Sequence, residues 1–255
     1  MKKILLCIWG IVTLSGCHIY RAYERPDIAV SDSLYRQSVS ITDTTSLASL
    51  SWKELFTDPQ LQQLIEIGIN NNTDLNIAYL KVKEAEALLM TSRLAYLPAI
   101  SFTPQGSISS QDGAKATKTY DLAAAAEWEI DIFGKLLNAK RGAKAALEQS
   151  EAYRQAVQTQ LVATIANSYY SLLMLDEQLD ITRRTAETWN ENVRAMKALK
   201  RAGQTTEMAV AQTEASKLSV DASVLSLEQQ INAMENSLSV LLGMNPQEIG
   251  RSTLD

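Results

Sequence analysis

The spacing of apolar residues changes along the chain, and each spacing predicts a different element. Between residues 58 and 97 apolar side chains recur every three or four residues, which is typical of helices. Asp58 followed by Pro59 favours a helix that begins there with Asp58 as its N-cap. Three asparagines then interrupt the pattern, and we expect a second helix, capped by Thr73 or Asp74, that stops before Pro98.

Residues 99–131 alternate with a period of two. The mostly apolar even positions are Ile100, Phe102, Pro104, Gly106, Ile108, Tyr120, Leu122, Ala124, Ala126, Trp128 and Ile130, and the odd positions between them are mostly polar. The two arms flank the turn-like segment 111–113, so the pattern predicts a β-hairpin with one apolar and one polar face. Each arm is long enough to cross a bilayer, which takes about 9–11 tilted residues. The alternation alone fits a membrane hairpin and a hairpin packed on a soluble core equally well.

Two long helices are predicted after the hairpin, over residues 136–202 and 205–242. The first segment contains no proline, and at about 1.5 Å per residue it would be roughly 95 Å long. Gly203 can end it in a left-handed conformation, and Thr205 or Thr206 can cap the next helix. The predicted fold class is therefore mainly α: a long antiparallel coiled-coil hairpin with a short polar tip, plus the β-hairpin.

The N-terminus has the features of a secretory signal. Lys2 and Lys3 precede about ten apolar residues, a segment too short for a permanent membrane helix. The segment ends in Leu14-Ser15-Gly16-Cys17, which resembles a bacterial lipobox. The resemblance implies removal of residues 1–16 and lipidation of Cys17, and the absence of Asp at position 18 weakly favours the outer membrane. Residues 17–50 are polar and are expected to form an extended tether ahead of the body at 51–255.

Composition excludes several classes of function. The 24 Lys and Arg against 29 Asp and Glu give a net charge of −5, which argues against a nucleic-acid partner. With one His and two Cys, one in the signal and the other lipidated, no metal site, cofactor or cysteine chemistry is expected. Glu127, Glu129 and Asp131 alternate along the predicted second strand, and we expect them to face water. An enzyme is therefore not predicted.

Several segments resemble one family, in the family's order. They are Trp52-Lys53-Glu54-Leu55-Phe56 with Asp58, then Asn72-x-Asp74-Leu75 and Leu97-Pro98, then Trp128-Glu129-Ile130-Asp131-Ile132-Phe133-Gly134, and finally Tyr169-Tyr170, the Gly203 tip and Asn236 to Pro246. Together they resemble the outer-membrane factor family of TolC-like efflux channels, in its lipoprotein branch. The residues expected to carry the structural motif are Trp52, Phe56, Asp58, Trp128, Asp131, Phe133 and Gly134.

The resemblance implies a function and a location. The hairpin would contribute to a transmembrane β-barrel in the outer membrane of a Gram-negative bacterium, and the helices would form a periplasmic tunnel. The chain would serve as a passive exit duct of a tripartite efflux system, fed by an inner-membrane pump through a periplasmic adaptor. The adaptor-docking tip maps to Arg201, Ala202, Gly203, Gln204, Thr205 and Thr206, and the lipid anchor maps to Cys17. The transported substrate is not indicated.

The sequence departs from the family pattern in the number of internal repeats. Family members carry two tandem strand–helix units and assemble as trimers, whereas a search for repeats finds one unit here. One hypothesis is a one-repeat homo-oligomer, with about six copies for a twelve-stranded barrel. A second is a truncated or split product, either non-functional alone or completed by a second polypeptide. A third is a lipid-anchored periplasmic coiled-coil protein without a pore.

Overall fold

The computed structural model describes residues 23–24, 51–110, 113 and 115–253. Within these residues the chain forms five helices and two strands, named here in chain order. They are α1 (Trp52–Leu55), α2 (Pro59–Asn71), α3 (Thr73–Leu94), β1 (Ala99–Ser109), β2 (Thr117–Glu127), α4 (Lys135–Arg201) and α5 (Glu207–Leu241). The predicted signal segment, Cys17 and the tether lie outside the described residues. The described residues divide between two compact units, the first made of 51–79 with 153–253 and the second of 23–24 with 80–110, 113 and 115–152.

The first unit has a continuous apolar core between helices. From α4 the core takes residues spaced by three or four, including Ile165, Tyr169 and Leu172, all fully buried. Helices α2 and α5 add their own apolar faces, which include Leu61, Leu64, Ile65, Leu227, Ile231 and Leu238. Gly68 marks the closest approach, because a Cβ there would lie 2.4 Å from Cδ1 of Ile165. The predicted helical faces are therefore the ones that meet in this core.

The second unit contains the β-hairpin, whose strands pair without a bulge. Ala99 lies opposite Glu127 and Ser109 opposite Thr117, so even positions pair with even positions and the two faces stay distinct. All 11 residues of each strand are exposed within this chain. Both alternating faces are thus formed as predicted, and neither is covered by described residues.

The predicted fold class is confirmed, and three details of the prediction are corrected. The first is the end of β2, which stops at Glu127, so that Trp128 and Ile130 lie outside the strand. In the observed register Trp128 would face Pro98, which has no N–H to donate to a ladder. Beyond the ladder, the Trp128 side chain bonds to the segment before β1, where its Nε1 donates to the carbonyl of Tyr96 at 3.1 Å.

The second correction concerns the cap of α3, which is Asn72 and neither Thr73 nor Asp74. The Asn72 Oδ1 accepts from the backbone N–H of Leu75 at 3.0 Å, and its Nδ2 donates to the carbonyl of Leu241 at 2.9 Å. A carboxamide can accept and donate at once, whereas a carboxylate only accepts. Asn72 therefore begins α3 and fixes the end of α5 with one side chain.

The third correction concerns the coiled-coil seam along α4. Ala139, Ala146, Tyr153 and Ala156 continue the predicted spacing, yet they are exposed in this chain. Helix α5 has 35 residues against 67 in α4, so it can pack along only about half of its partner. Among the described helices, none is both long enough and apolar enough to be a membrane-spanning helix.

Candidate functional site

The tip between α4 and α5 is a short, capped reversal of the chain. Gly203 adopts φ +73°, its N–H bonds to the carbonyl of Lys200, and the N–H of Gln204 bonds to that of Leu199. This pair of bonds is a Schellman motif, which satisfies the last carbonyls of α4. Thr206 then caps α5, since its Oγ1 accepts from the N–H of Ala209 at 3.2 Å. The geometry agrees with the sequence-based assignment of Gly203 and Thr206.

Ion pairs join the two helices beside the tip. Lys200 pairs with Glu207, and Lys197 pairs with Glu214 at 2.6 Å. Further along the hairpin Arg183 pairs with Glu228 at 2.6 Å. Each pair links α4 to α5 in a solvent-exposed setting, so each adds at most about 1 kcal/mol and mainly fixes the register. The six predicted tip residues form the end of this hairpin, and all of them except the half-buried Thr205 are exposed.

The predicted motif around Trp128 forms a joint between β2 and α4. Gly134 takes φ +75°, and Asp131 Oδ2 accepts from the N–H of Leu137 at 2.9 Å in the first turn of α4. Glu129 pairs with Lys135 at 2.7 Å, and these carboxylates raise the pKa of the Lys135 ammonium. Two of the three carboxylates expected to alternate along the strand are therefore committed to the joint. Phe133, with Trp128, is left exposed there.

Asp58 connects three parts of the first unit. Its Oδ1 caps α2 by accepting from the N–H of Gln60 at 2.8 Å and also accepts from Ser252 Oγ at 3.1 Å. Its Oδ2 accepts from the fully buried Tyr169 hydroxyl at 2.5 Å. Burial by itself raises the pKa of Asp58, but these hydrogen bonds to the charged form outweigh it and hold the pKa below its ordinary value. Burial is the main cause that raises the pKa of the Tyr169 hydroxyl, and the hydrogen bond to Asp58 is the second.

The other first-segment motif residues support the same region. Trp52 and Phe56 are partly buried and pack against the core of the first unit. The carbonyl of Phe56 accepts from Gln62 Nε2 at 2.6 Å, and Lys53 lies 5.3 Å from the ring centroid of Trp52. These contacts indicate a structural role for both aromatic residues.

A charged cluster at Arg251 was missed by sequence reasoning. The Arg251 guanidinium bonds to Asp176 on α4, to Glu235 on α5 and to the carbonyl of Ile249. The hydrogen bonds to Asp176 have the largest effect and raise the pKa of the Arg251 guanidinium. Burial lowers this pKa, and the hydrogen bond to Glu235 raises it again. The signal available in the sequence was a charged residue, Glu235, on the apolar face of α5. Arg251 itself lies in an irregular segment without periodicity.

The described residues contain no group of three or more His, Cys, Asp or Glu side chains arranged to hold a metal ion. A groove of about 610 Å³ at the Arg251 cluster is open to solvent, and its lining includes the paired side chains of Arg251, Asp176 and Glu235. The arrangement is suited to holding helices together and to presenting their surfaces.

A long helical hairpin in one unit and a two-faced strand pair in the other define a structural component that presents surfaces to other molecules. The particular class follows from comparison with known proteins. A family model for outer membrane efflux protein matches residues 64–244. The chain belongs to the outer membrane efflux protein family, as the sequence motifs predicted.

Individual relatives agree with this membership. The chain is similar to the probable outer membrane lipoprotein SilC of Salmonella typhimurium, at 31% identity over 83% of this chain and 47% of SilC. It is also similar to the probable efflux pump outer membrane protein TtgC of Pseudomonas putida, at 28% identity over 95% of this chain and 52% of TtgC. The chain thus spans about half the length of the curated relatives it matches.

Solved structures agree as well. The outer-membrane channel OprN aligns with a TM-score of 0.78 at 26% identity, covering 93% of this chain and 55% of OprN. The outer membrane channel MtrE of Neisseria gonorrhoeae, in its open state, aligns with a TM-score of 0.71 at 25% identity, covering 89% of this chain and 51% of MtrE.

The predicted location, the outer membrane of a Gram-negative bacterium with the helices in the periplasm, is confirmed by these relatives. The alternative of a coiled-coil protein without a pore is not favoured.

Proposed function

We propose that this chain forms part of the wall of an outer-membrane exit duct. In this proposal the β-hairpin lies in the bilayer, the helices line the periplasmic part of the duct, and the tip docks a periplasmic adaptor that leads to an inner-membrane pump. Substrates pass by diffusion, so the chain performs no catalysis and needs no cofactor. The observation that carries the proposal is the two-faced hairpin, exposed on both sides in this chain.

The dimensions of the hairpin suit a bilayer. Eleven residues extend for about 36 Å, and a tilt of about 45° reduces the height to about 26 Å. Outer-membrane strands carry an apolar outward band of about 25 Å. Ile100, Phe102 and Ile108 on β1 share one exposed face with Tyr120 and Leu122 on β2. That face fits lipid, and the opposite face, with Thr103, Gln105 and Asp121, fits a water-filled lumen.

The joint after β2 supports the same placement. Trp128 and Phe133 are large, exposed and adjacent to the end of the strand pair. Aromatic residues are enriched where a membrane meets water, because the ring is apolar and its edge tolerates polar neighbours. The hydrogen bond from the Trp128 indole to Tyr96 keeps the ring oriented at this level.

Cysteine accessibility tests the membrane placement directly. Single cysteines at the even positions Ile100 and Phe102 should resist a water-soluble maleimide in intact outer membranes, while cysteines at the odd positions Ser101 and Thr103 should react. The parent chain gives the background labelling, and detergent-solubilised protein shows that all four cysteines can react. Equal labelling of even and odd positions in membranes would contradict the proposal.

A tip replacement tests the duct function in cells. Replacing residues 201–206 by a Gly-Ser segment of equal length should leave the protein in the outer membrane. A strain that depends on this gene should nevertheless remain as sensitive to exported compounds as the deletion strain. The matched control replaces exposed residues on α4 away from the tip, and it should restore resistance. Full resistance with the replaced tip would show that the tip is not the docking element.

The described residues supply two strands to the proposed duct. The mass and the polypeptide composition of the detergent-extracted native complex identify what supplies the rest of the wall.

A further inference from the structure

A groove of about 670 Å³ runs beside the tip between α4 and α5. Its floor includes Val210, which is buried, and its walls carry Lys197, Lys200, Glu207 and Glu214. The two lysines and the two glutamates pair with one another across the hairpin. These four charges are therefore satisfied within the chain.

Two further cations on the groove have no such partner. Arg194 and Arg201 line it, are exposed, and make no ion pair or hydrogen bond through their side chains with any described residue. Basic residues in the last turn of a helix stabilise its dipole, which accounts in part for Arg201. That explanation does not extend to Arg194, which lies two turns earlier, beyond the range of the effect.

The spacing of the two arginines is regular. Seven residues separate them, so they lie on nearly the same face of α4, about 10.5 Å apart along the helix axis. A second helix laid along the groove repeats its own surface at the same interval. Carboxylates seven residues apart on such a helix would face both guanidinium groups, each of which can bind a carboxylate through two parallel N–H donors.

Val210 gives the groove an apolar floor. The groove thus combines a buried apolar floor with two unpaired cations, a composition that favours a helical partner of opposite charge.

We propose that this groove docks a helix of the partner protein that presents two carboxylates seven residues apart, one to Arg194 and one to Arg201. The proposal rests on the proposed docking function of the tip and adds the charge and spacing of the surface that is recognised. The paired residues Lys197 and Lys200 link α4 to α5. The two arginines are aligned because both lie on α4, two helical turns apart.

Two designed soluble helical hairpins test the proposal as probes. They are identical except that positions i and i+7 of one helix carry Glu in the acidic probe and Lys in the basic probe. Binding to the full chain in detergent is measured by fluorescence anisotropy at about 50 mM NaCl. We expect the acidic probe to bind at least fivefold more tightly, and this preference should fall at about 500 mM NaCl, because exposed charges are screened. A third probe with Glu at i and i+2 should lose the preference, because those positions do not share a helix face.

Variants of the chain complete the test. The double variant R194E/R201E should reverse the preference, and R194Q/R201Q should abolish it while adding no negative charge. R141E/R154E is the matched control, since both of its arginines are exposed and lie outside the groove, and it should keep the preference of the parent chain. Circular dichroism verifies that each variant retains its helical signal.

The outcomes separate this inference from the proposed function. Equal affinity for the acidic and basic probes, failure of the parent chain to bind the acidic probe, or an equal effect of R141E/R154E would each overturn the inference. The proposed function is judged separately, by resistance of cells that carry the tip replacement. A protein that supports export without any charge preference would retain the function and refute the inference.

Discussion

Replacement of Arg251 by Met should destabilise the first unit by about 3 kcal/mol. The side chain of Arg251 is 13% exposed and that of its partner Glu235 is 9% exposed, whereas Asp176 is 38% exposed. Met retains most of the apolar stem and removes only the guanidinium. Glu235 would then keep little beyond the N–H of Ile249, which lies 3.4 Å from its Oε1. Breaking a buried ion pair costs about 3–5 kcal/mol, and the lower end applies because Arg251 and Glu235 keep some exposure to solvent. The solvent-screened bond to Asp176 adds at most about 1 kcal/mol.

Unfolding of the full chain in detergent measures this cost. Guanidinium-induced loss of the helical circular dichroism signal at 222 nm gives the free energy of unfolding, and thermal unfolding gives a second estimate. For a protein of this size 3 kcal/mol corresponds to a fall in Tm of roughly 6–12 °C. Arg154→Met is the control, because Arg154 is exposed and should change stability by less than about 0.5 kcal/mol.

A double variant identifies the cause of the loss. If the unpaired carboxylate of Glu235 is responsible, Glu235→Gln should rescue much of the stability of Arg251→Met, with a coupling free energy of about 2 kcal/mol. A loss below about 1 kcal/mol in Arg251→Met, or strict additivity of the two single changes, would refute the reasoning. Either result would mean that water already screens the pair.

Three more changes probe the same unit through unfolding measurements. Tyr169→Phe removes the hydroxyl bound to the Asp58 carboxylate and should cost about 2 kcal/mol, whereas the exposed Tyr170→Phe should cost little. Folding lowers the pKa of Asp58, so its contribution to the free energy of unfolding is fully present above about pH 4. This contribution is lost as the pH falls through the pKa of the folded state. Asp58→Asn should therefore flatten the acid side of the curve of stability against pH. Gly243→Ala should cost more than about 1 kcal/mol, because φ is +66° and a Cβ would lie 2.8 Å from the carbonyl oxygen of Asn71.

Each of these three predictions has an outcome that would contradict it. Equal losses in Tyr169→Phe and Tyr170→Phe would mean that the hydroxyl bond adds nothing. An unchanged acid limb in Asp58→Asn would assign the acid sensitivity to other carboxylates. For Gly243→Ala the control is Gly142→Ala, where a Cβ meets nothing within 4 Å, and this change should be neutral or slightly stabilising. Equal effects at the two glycines would contradict the argument from backbone geometry.

The helices and strands whose apolar residues recur at a regular spacing were predictable from the sequence. Spacings of three and four residues gave α4 and α5 to within two residues at each end, and the Gly203 and Thr206 signals located the tip. The alternation gave both strands and their two faces, although the second strand ends at Glu127, earlier than predicted. These predictions succeed because a period of 3.6 or 2 places a whole face of a helix or strand in one environment. Many residues then indicate the same secondary structure.

The contacts between distant segments were not predictable. Asp58 was identified as an N-cap, but nothing in its neighbourhood pointed to Tyr169, 111 residues away. The double role of Asn72 depends on the carbonyl of Leu241, and the role of Arg251 depends on two other helices. A single side chain in an irregular segment has no period, so only the tertiary structure shows what it binds.

Periodicity identifies a face but does not identify what covers it. The spacing that places Ile165 and Leu172 in the core also runs through Ala146 and Tyr153, which are exposed. The alternation of the strands likewise forms an apolar face that no described residue covers. An apolar strand face in water is unfavourable by about 25 cal/mol for each Å² that could be buried. This face therefore needs a cover, and the length and sidedness of the strands fit the lipid of the proposed membrane placement.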